Sequence, residues 1–310
     1  MTECLIDYVP DCLIDYPTIL RLDYPTTRLP DYTTNVYNSP VPQSRHLPNF
    51  DRLSALLAAV LLAYATARFI AFPVLTFNLA LGGIFLPLSI GVNTVVAVVV
   101  AGMTAMGIDG LLHSHPRFSS QSTYEHWLLP ALTAWVVSVP LSRLPLSPVW
   151  WLAFGLGGLL LLAVLVAEFI VVDTEDARHY PAAAGLTALS FALFLILVIT
   201  LRTVGFRLLL QLPAVALTAF LVSLRAIHLQ SPGAWQLPQA AAVALVAAQL
   251  TAALHYLPVN PVAFGLVLLG PVYALSSLIV NLSQGQTARK ALLEPAVFMF
   301  GFWLLALLFN

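Results

Sequence analysis

Val149-Trp150-Trp151-Leu152-Ala153-Phe154-Gly155-Leu156-Gly157-Gly158-Leu159-Leu160-Leu161-Leu162-Ala163-Val164-Leu165-Val166-Ala167-Glu168-Phe169-Ile170-Val171 carries a single charged side chain in 23 residues. A helix needs about 20 apolar residues to cross ~30 Å of hydrocarbon at ~1.5 Å per residue. This stretch meets that requirement, and similar runs stand on both sides of it. The spacing predicts about nine spans, near 53–72, 90–108, 126–142, 149–171, 182–201, 206–228, 238–256, 261–281 and 292–309. The expected fold is an all-α, polytopic transmembrane helix bundle over residues 51–310, preceded by a separate tail over 1–50.

Composition agrees. Of 310 residues, 60% are hydrophobic and 9% charged, and the mean hydropathy is +0.90. A soluble domain carries roughly 25% charged residues. Thirteen basic and fourteen acidic residues give a net charge of -1, with no basic stripe to neutralise phosphates, so nucleic acid is not an expected partner. The expected partners are the lipid bilayer and other membrane proteins. Cys4 and Cys12 are the two cysteines, and neither falls in a metal-binding spacing. No cofactor and no metal are expected.

In the tail, Asp-Tyr recurs every eight residues, at Asp7-Tyr8, Asp15-Tyr16, Asp23-Tyr24 and Asp31-Tyr32. Recurrent proline and the absence of a helical period predict disorder. Two accounts stand. One is a tyrosine-rich interaction tail; the other is a segment upstream of the true start, since no methionine occurs between Met1 and Met103. A start near Val41 would set Arg45 and Arg52 directly before the first helix.

Between the first two runs, Val74–Ile90 alternates in polarity on both sides of Gly82-Gly83, which predicts an interfacial hairpin. A re-entrant helix, with a tenth crossing, is the alternative. Orientation follows from Lys and Arg near the spans. Arg45, Arg52, Arg117, Arg178, Arg225, Arg289 and Lys290 share one side; Arg68, Arg143, Arg202 and Arg207 share the other. Seven against four predicts a cytoplasmic N-terminus and an external C-terminus.

Chemistry has two places to reside. The loops after the second and fourth runs hold Asp109, His113, His115 and His126, then Asp173, Asp176 and His179. Both loops face one side, so imidazole and carboxylate ligands could converge there. Solvated loops and a Ser122-x-x-Glu125 capping box account for the same residues more simply. His126 is then expected at the water interface without a partner. Inside the membrane, the polar residues are Glu168, Gln211, Gln249 and His255. Glu168 is a proton-carrier candidate, but its place near the end of its run favours an interfacial carboxylate. Arg225 is expected to snorkel to water, and His255 to cap the turn through Pro258 and Pro261. Glu168→Gln and His113→Ala are both expected to be mild. Gly270-Pro271 breaks the eighth run and frees a carbonyl that a partner helix or ligand can take up.

The stretch Gly107-Ile108-Asp109-Gly110-Leu111-Leu112-His113-Ser114-His115-Pro116, with His126-Trp127-Leu128-Leu129-Pro130 and His255-Tyr256-Leu257-Pro258, resembles an uncharacterised family of polytopic bacterial inner-membrane proteins. The resemblance covers roughly residues 52–310 and implies topology and location, with no activity to carry over. The favoured function is a non-enzymatic membrane subunit or scaffold. A transporter or channel component comes second, and an intramembrane enzyme acting on a lipid or isoprenoid third; no catalytic residue is assigned.

Overall fold

The computed structural model describes residues 49–70, 75–81, 84–113, 124–173, 177–231 and 235–309. The chain divides into two units, residues 1–43 and 44–310, and the described residues all belong to the second. The repeat tail therefore lies outside them, as do Ser122, His115 and Asp176.

Nine helices occupy the described residues. They are α1 (Phe50–Phe69), α2 (Val92–Leu112), α3 (Tyr124–Arg143), α4 (Pro148–Val171), α5 (His179–Val204), α6 (Leu208–Gln230), α7 (Leu237–Leu254), α8 (Pro261–Ser283) and α9 (Ala288–Leu308). Each coincides with one of the nine apolar runs. Eight are long and apolar enough to cross a membrane, so the chain is a multi-pass membrane protein.

The ninth, α3, is as long as α1 but is diluted by His126, Trp127, Pro130, Trp135, Pro140 and Arg143. Its environment explains the difference. Of residues 126–143, all but Trp135 and Arg143 are buried or half-buried, and α3 packs against α1, α2, α4, α5 and α6. A helix surrounded by protein does not need an apolar outer face.

Leu75–Leu81 (β1) and Ile84–Ile90 (β2) pair antiparallel, with Leu81 opposite Ile84 and Leu75 opposite Ile90. The register folds about Gly82-Gly83, which themselves lie outside the described residues. The segment is thus a hairpin rather than a re-entrant helix, and no tenth helical crossing arises from it.

Short connections force neighbouring helices antiparallel. One buried cluster gathers side chains of α1 to α4, including Val60, Ile108, Ala134, Trp150 and Leu165. A second gathers α5 to α8, around Phe194, Val215, Ala247 and Phe264. Between them, Leu129 and Val136 of α3, Val164 of α4, Leu186 and Leu193 of α5 and Leu229 of α6 form a joining layer.

Helix ends and proline breaks leave carbonyls without intrahelical donors. Several are taken up by side chains from other helices. The Trp150 indole donates to the Leu141 carbonyl at 3.0 Å, in the last turn of α3. Trp303 of α9 donates to the Val267 carbonyl at 3.3 Å, the group that Pro271 cannot serve. The carbonyl freed at Gly270-Pro271 is therefore filled by a partner helix.

Candidate functional site

Glu168, three residues from the end of its apolar run, is fully buried. Its Oε2 accepts from the Arg225 guanidinium and from His126 Nδ1, the latter at 2.8 Å. Arg225 is itself 1% exposed. The three side chains come from the N-terminal end of α3 and the C-terminal ends of α4 and α6, each within about 8 Å of that end at ~1.5 Å per residue. Glu168 is thus covered by protein rather than reaching the headgroups, Arg225 does not snorkel, and His126 has a partner. All three expectations measured distance along one helix, whereas burial is set by the neighbours.

The chemistry of the cluster follows from its atoms. A carboxylate only accepts, so the His126 nitrogen facing Glu168 carries the hydrogen, leaving Nε2 as the site that can gain a proton. With His126 neutral, the cluster sums to zero charge, the state a buried site tolerates. Among the described residues, Glu168 Oε1 and Arg225 Nε meet no hydrogen-bond partner. α4 and α6 are not packed neighbours; the long Arg225 and Glu168 side chains reach across the joining layer to connect them.

A second polar network closes the opposite end of the bundle. His255 Nδ1 lies 2.9 Å from Gln211 Oε1, joining α7 to α6. Arg202 of α5 donates to the His255 and Leu257 carbonyls, at 2.9 Å each, and its guanidinium stands 4.9 Å from the Phe264 ring centroid. His255 occupies the C-cap of α7, as the turn predicts, and its ring also binds Gln211. Gln249 takes no part, since it faces outward from α7.

Near the Glu168 end, a cavity of about 760 Å³ opens between α5, α8 and α9. That volume suits a small organic molecule. From Gln284 at the end of α8 the lining runs down to Tyr273, about 16 Å away along the helix and close to its midpoint. Thr187, Ser276, Ser277, Asn281 and Glu294 contribute polar groups. Leu229 and Gln230 of α6 also line it, Leu229 lying one helical turn along from Arg225.

Among the described loop residues, Asp109, His113, Asp173 and His179 do not assemble into one site. His113 Nδ1 lies 2.8 Å from the Asp109 carbonyl and 3.6 Å from its carboxylate. His179 Nδ1 lies 3.1 Å from the Val171 carbonyl, and Asp173 is half-buried nearby in sequence. Among the described residues no three His, Cys, Asp or Glu come close enough to hold a metal. His115 and Asp176, both candidates for that set, are outside the described residues.

Tyr273, Asn281 and Glu294 were not singled out by sequence reasoning. For Glu294 the signal was present: it is a carboxylate two residues inside the last predicted span. Tyr273 and Asn281 gave none, because either is ordinary in a membrane helix until a cavity is known beside it.

The family described as protein of unknown function (DUF5656) matches residues 72–309, from the hairpin through α9. No curated protein matches the chain, and no solved structure matches it.

Proposed function

We propose, for a chain that belongs to the family of unknown function DUF5656, that it binds and passes a small solute as a transporter or channel component of the bacterial inner membrane. One observation carries this reading: a cavity of about 760 Å³, with hydroxyl, amide and carboxylate groups among its lining, enters the bundle from one end and reaches the middle of α8. Hydroxyl, amide and carboxylate groups at that depth are costly against lipid and favourable along an aqueous path. A scaffold would need only packed helices and an apolar exterior. The inner-membrane location rests on the resemblance of the Gly107–Pro116 and His255–Pro258 stretches to bacterial inner-membrane proteins. In this scheme the Glu168–Arg225–His126 cluster fixes the wall behind the cavity, holding α6 in register against α3 and α4.

Cysteine labelling tests the path. Cys4 and Cys12 are replaced by serine, and Thr187→Cys or Ser277→Cys is introduced into the cavity. Leu245→Cys, on the outer face of α7, is the lipid-facing control. Both cavity cysteines should react with a membrane-impermeant thiol reagent from one side, and the control should react only with a lipophilic maleimide. If the cavity cysteines behave like the control, the space is a lipid groove and the proposal fails.

A further inference from the structure

We infer that the cavity between α5, α8 and α9 selects a protonated amine, with Glu294 and the Tyr273 ring as its recognition pair and the oxygens of Thr187, Ser276 and Asn281 as acceptors. The inference deepens the proposed solute-binding role and rests on it.

Hydrogen bonds at three lining positions, the charge of the lining and its aromatic surface carry it together. Thr187 Oγ1 already donates to the Ala183 carbonyl at 2.9 Å, and Ser276 Oγ donates to the Val272 carbonyl at 2.7 Å. The Asn281 amide nitrogen donates to the Ala291 carbonyl at 3.2 Å. With these donors committed to the helices, their oxygens keep lone pairs for a ligand. At Thr187 and Ser276 acceptor lone pairs remain, while Asn281 keeps its oxygen and one N–H, and an ammonium group is the ligand chemistry that uses several acceptors at once.

Charge points the same way. Among the described lining residues Glu294 is the only acid, and none is Lys or Arg. Glu294 sits about 9 Å into α9, and no ion pair involves it among the described residues. A carboxylate at that depth gains from a cation or water beside it. Arg289 and Lys290 begin the same helix and, like Glu294, are exposed; of the three only Glu294 lines the cavity.

The aromatic surface is fixed. The Tyr273 ring packs edge-on against Phe191 and Phe298, each with centroids 5.2 Å away, and against Phe302 at 6.2 Å. An aromatic ring attracts cations through its quadrupole and contacts an apolar body through its area. The ligand class is therefore an organic cation with an ammonium head and an apolar or aromatic remainder.

Labelling kinetics of Ser277→Cys, in the full chain lacking Cys4 and Cys12, read the charge preference directly. Two methanethiosulfonate reagents are compared, one bearing trimethylammonium and one bearing sulfonate, each normalised to its rate with a free thiol in solution. The cationic reagent should react about tenfold faster, since a cleft of one charge sign concentrates counter-ions. Glu294→Gln should abolish the preference while Glu294→Asp retains it. Benzylamine, protonated at neutral pH, should slow labelling, and benzyl alcohol at the same concentration should not. Equal normalised rates, or equal protection by the alcohol, overturn the cation preference and leave the path intact. Failure of both reagents to react overturns the path and this inference with it.

Discussion

A carboxylate, a guanidinium and an imidazole share one fully buried oxygen in this protein, and the cost of breaking such a group falls on whichever partner is left behind. Glu168→Gln strands the Arg225 charge inside the bundle, so the expectation of a mild effect gives way to a severe one. The loss should be about 3–5 kcal/mol, the range for an orphaned buried charge. Removing both charges, in Glu168→Gln with Arg225→Met, should recover most of it, because an apolar replacement leaves nothing to solvate. Denaturant titration in detergent micelles, with folded yield, measures all three proteins. A double variant as unstable as the single one would show that the pairing is not what stabilises the site. The sequence exposed Glu168 as the lone charge of its run, yet it could not reveal that Arg225 stands opposite, because 57 residues separate them.

Proline and tryptophan act together where α8 meets α9. Pro271 denies the Val267 carbonyl its intrahelical donor, and Trp303 supplies one from the neighbouring helix. Gly270 permits the approach: a Cβ there would stand 3.3 Å from both the Met299 carbonyl oxygen and Trp303 Nε1. Trp303→Phe should cost about 1 kcal/mol for the lost hydrogen bond. In a Pro271→Ala background the same substitution should cost less, because a backbone N–H again serves Val267. The double-mutant cycle is read by unfolding; an unchanged cost in the alanine background would remove the proline–indole link. For α3 the question is whether it crosses. Its composition falls short, but its enclosure by five helices and the short connection to α4 require that it run the length of its neighbours. Nine crossings place the termini on opposite faces, and eight place them together. With a cytoplasmic N-terminus, reporter fusions at Pro181 and Asn310 should give cytoplasmic and external signals respectively, and both would reverse if α3 did not cross. A cytoplasmic signal at Asn310 would refute the nine-span topology in its predicted orientation. Burial of Arg225 lowers the basic count on the inner side from seven to six, still above four.

At the scale of the molecule, two helical groups meet along one apolar layer, bridged at one end by Glu168–Arg225, while Gln211–His255 and Arg202 tie α5, α6 and α7 together within the second group at the other end. The family match begins at residue 72, so α1 and everything before it lie outside the matched region. α1 is nevertheless tied in, since the Tyr64 hydroxyl donates to the Ala134 carbonyl of α3. A chain begun at Val41 should consequently insert and fold as the full chain does, whereas one begun at Val92 should not. Folded yield after membrane extraction decides this, and loss of insertion on removing residues 1–40 would show that the repeat tail has a structural part.

Membrane helices are legible in sequence because each must hide its own backbone and present about 20 apolar residues, a requirement met locally. Eight of the nine described helices meet it outright, and the hairpin about Gly82-Gly83 and the carbonyl freed before Pro271 follow from equally local rules of alternation and of the missing proline N–H. Which polar groups meet does not. His126, Glu168 and Arg225 lie on three different helices, and so do Arg202, Gln211 and His255; only the packing of the bundle brings each set together. The cavity is likewise a property of the space between α5, α8 and α9, where no single helix carries its outline. Local physics fixed the elements, and the choice between a lipid-facing, a solvated and a buried charge was decided by neighbours distant in the chain.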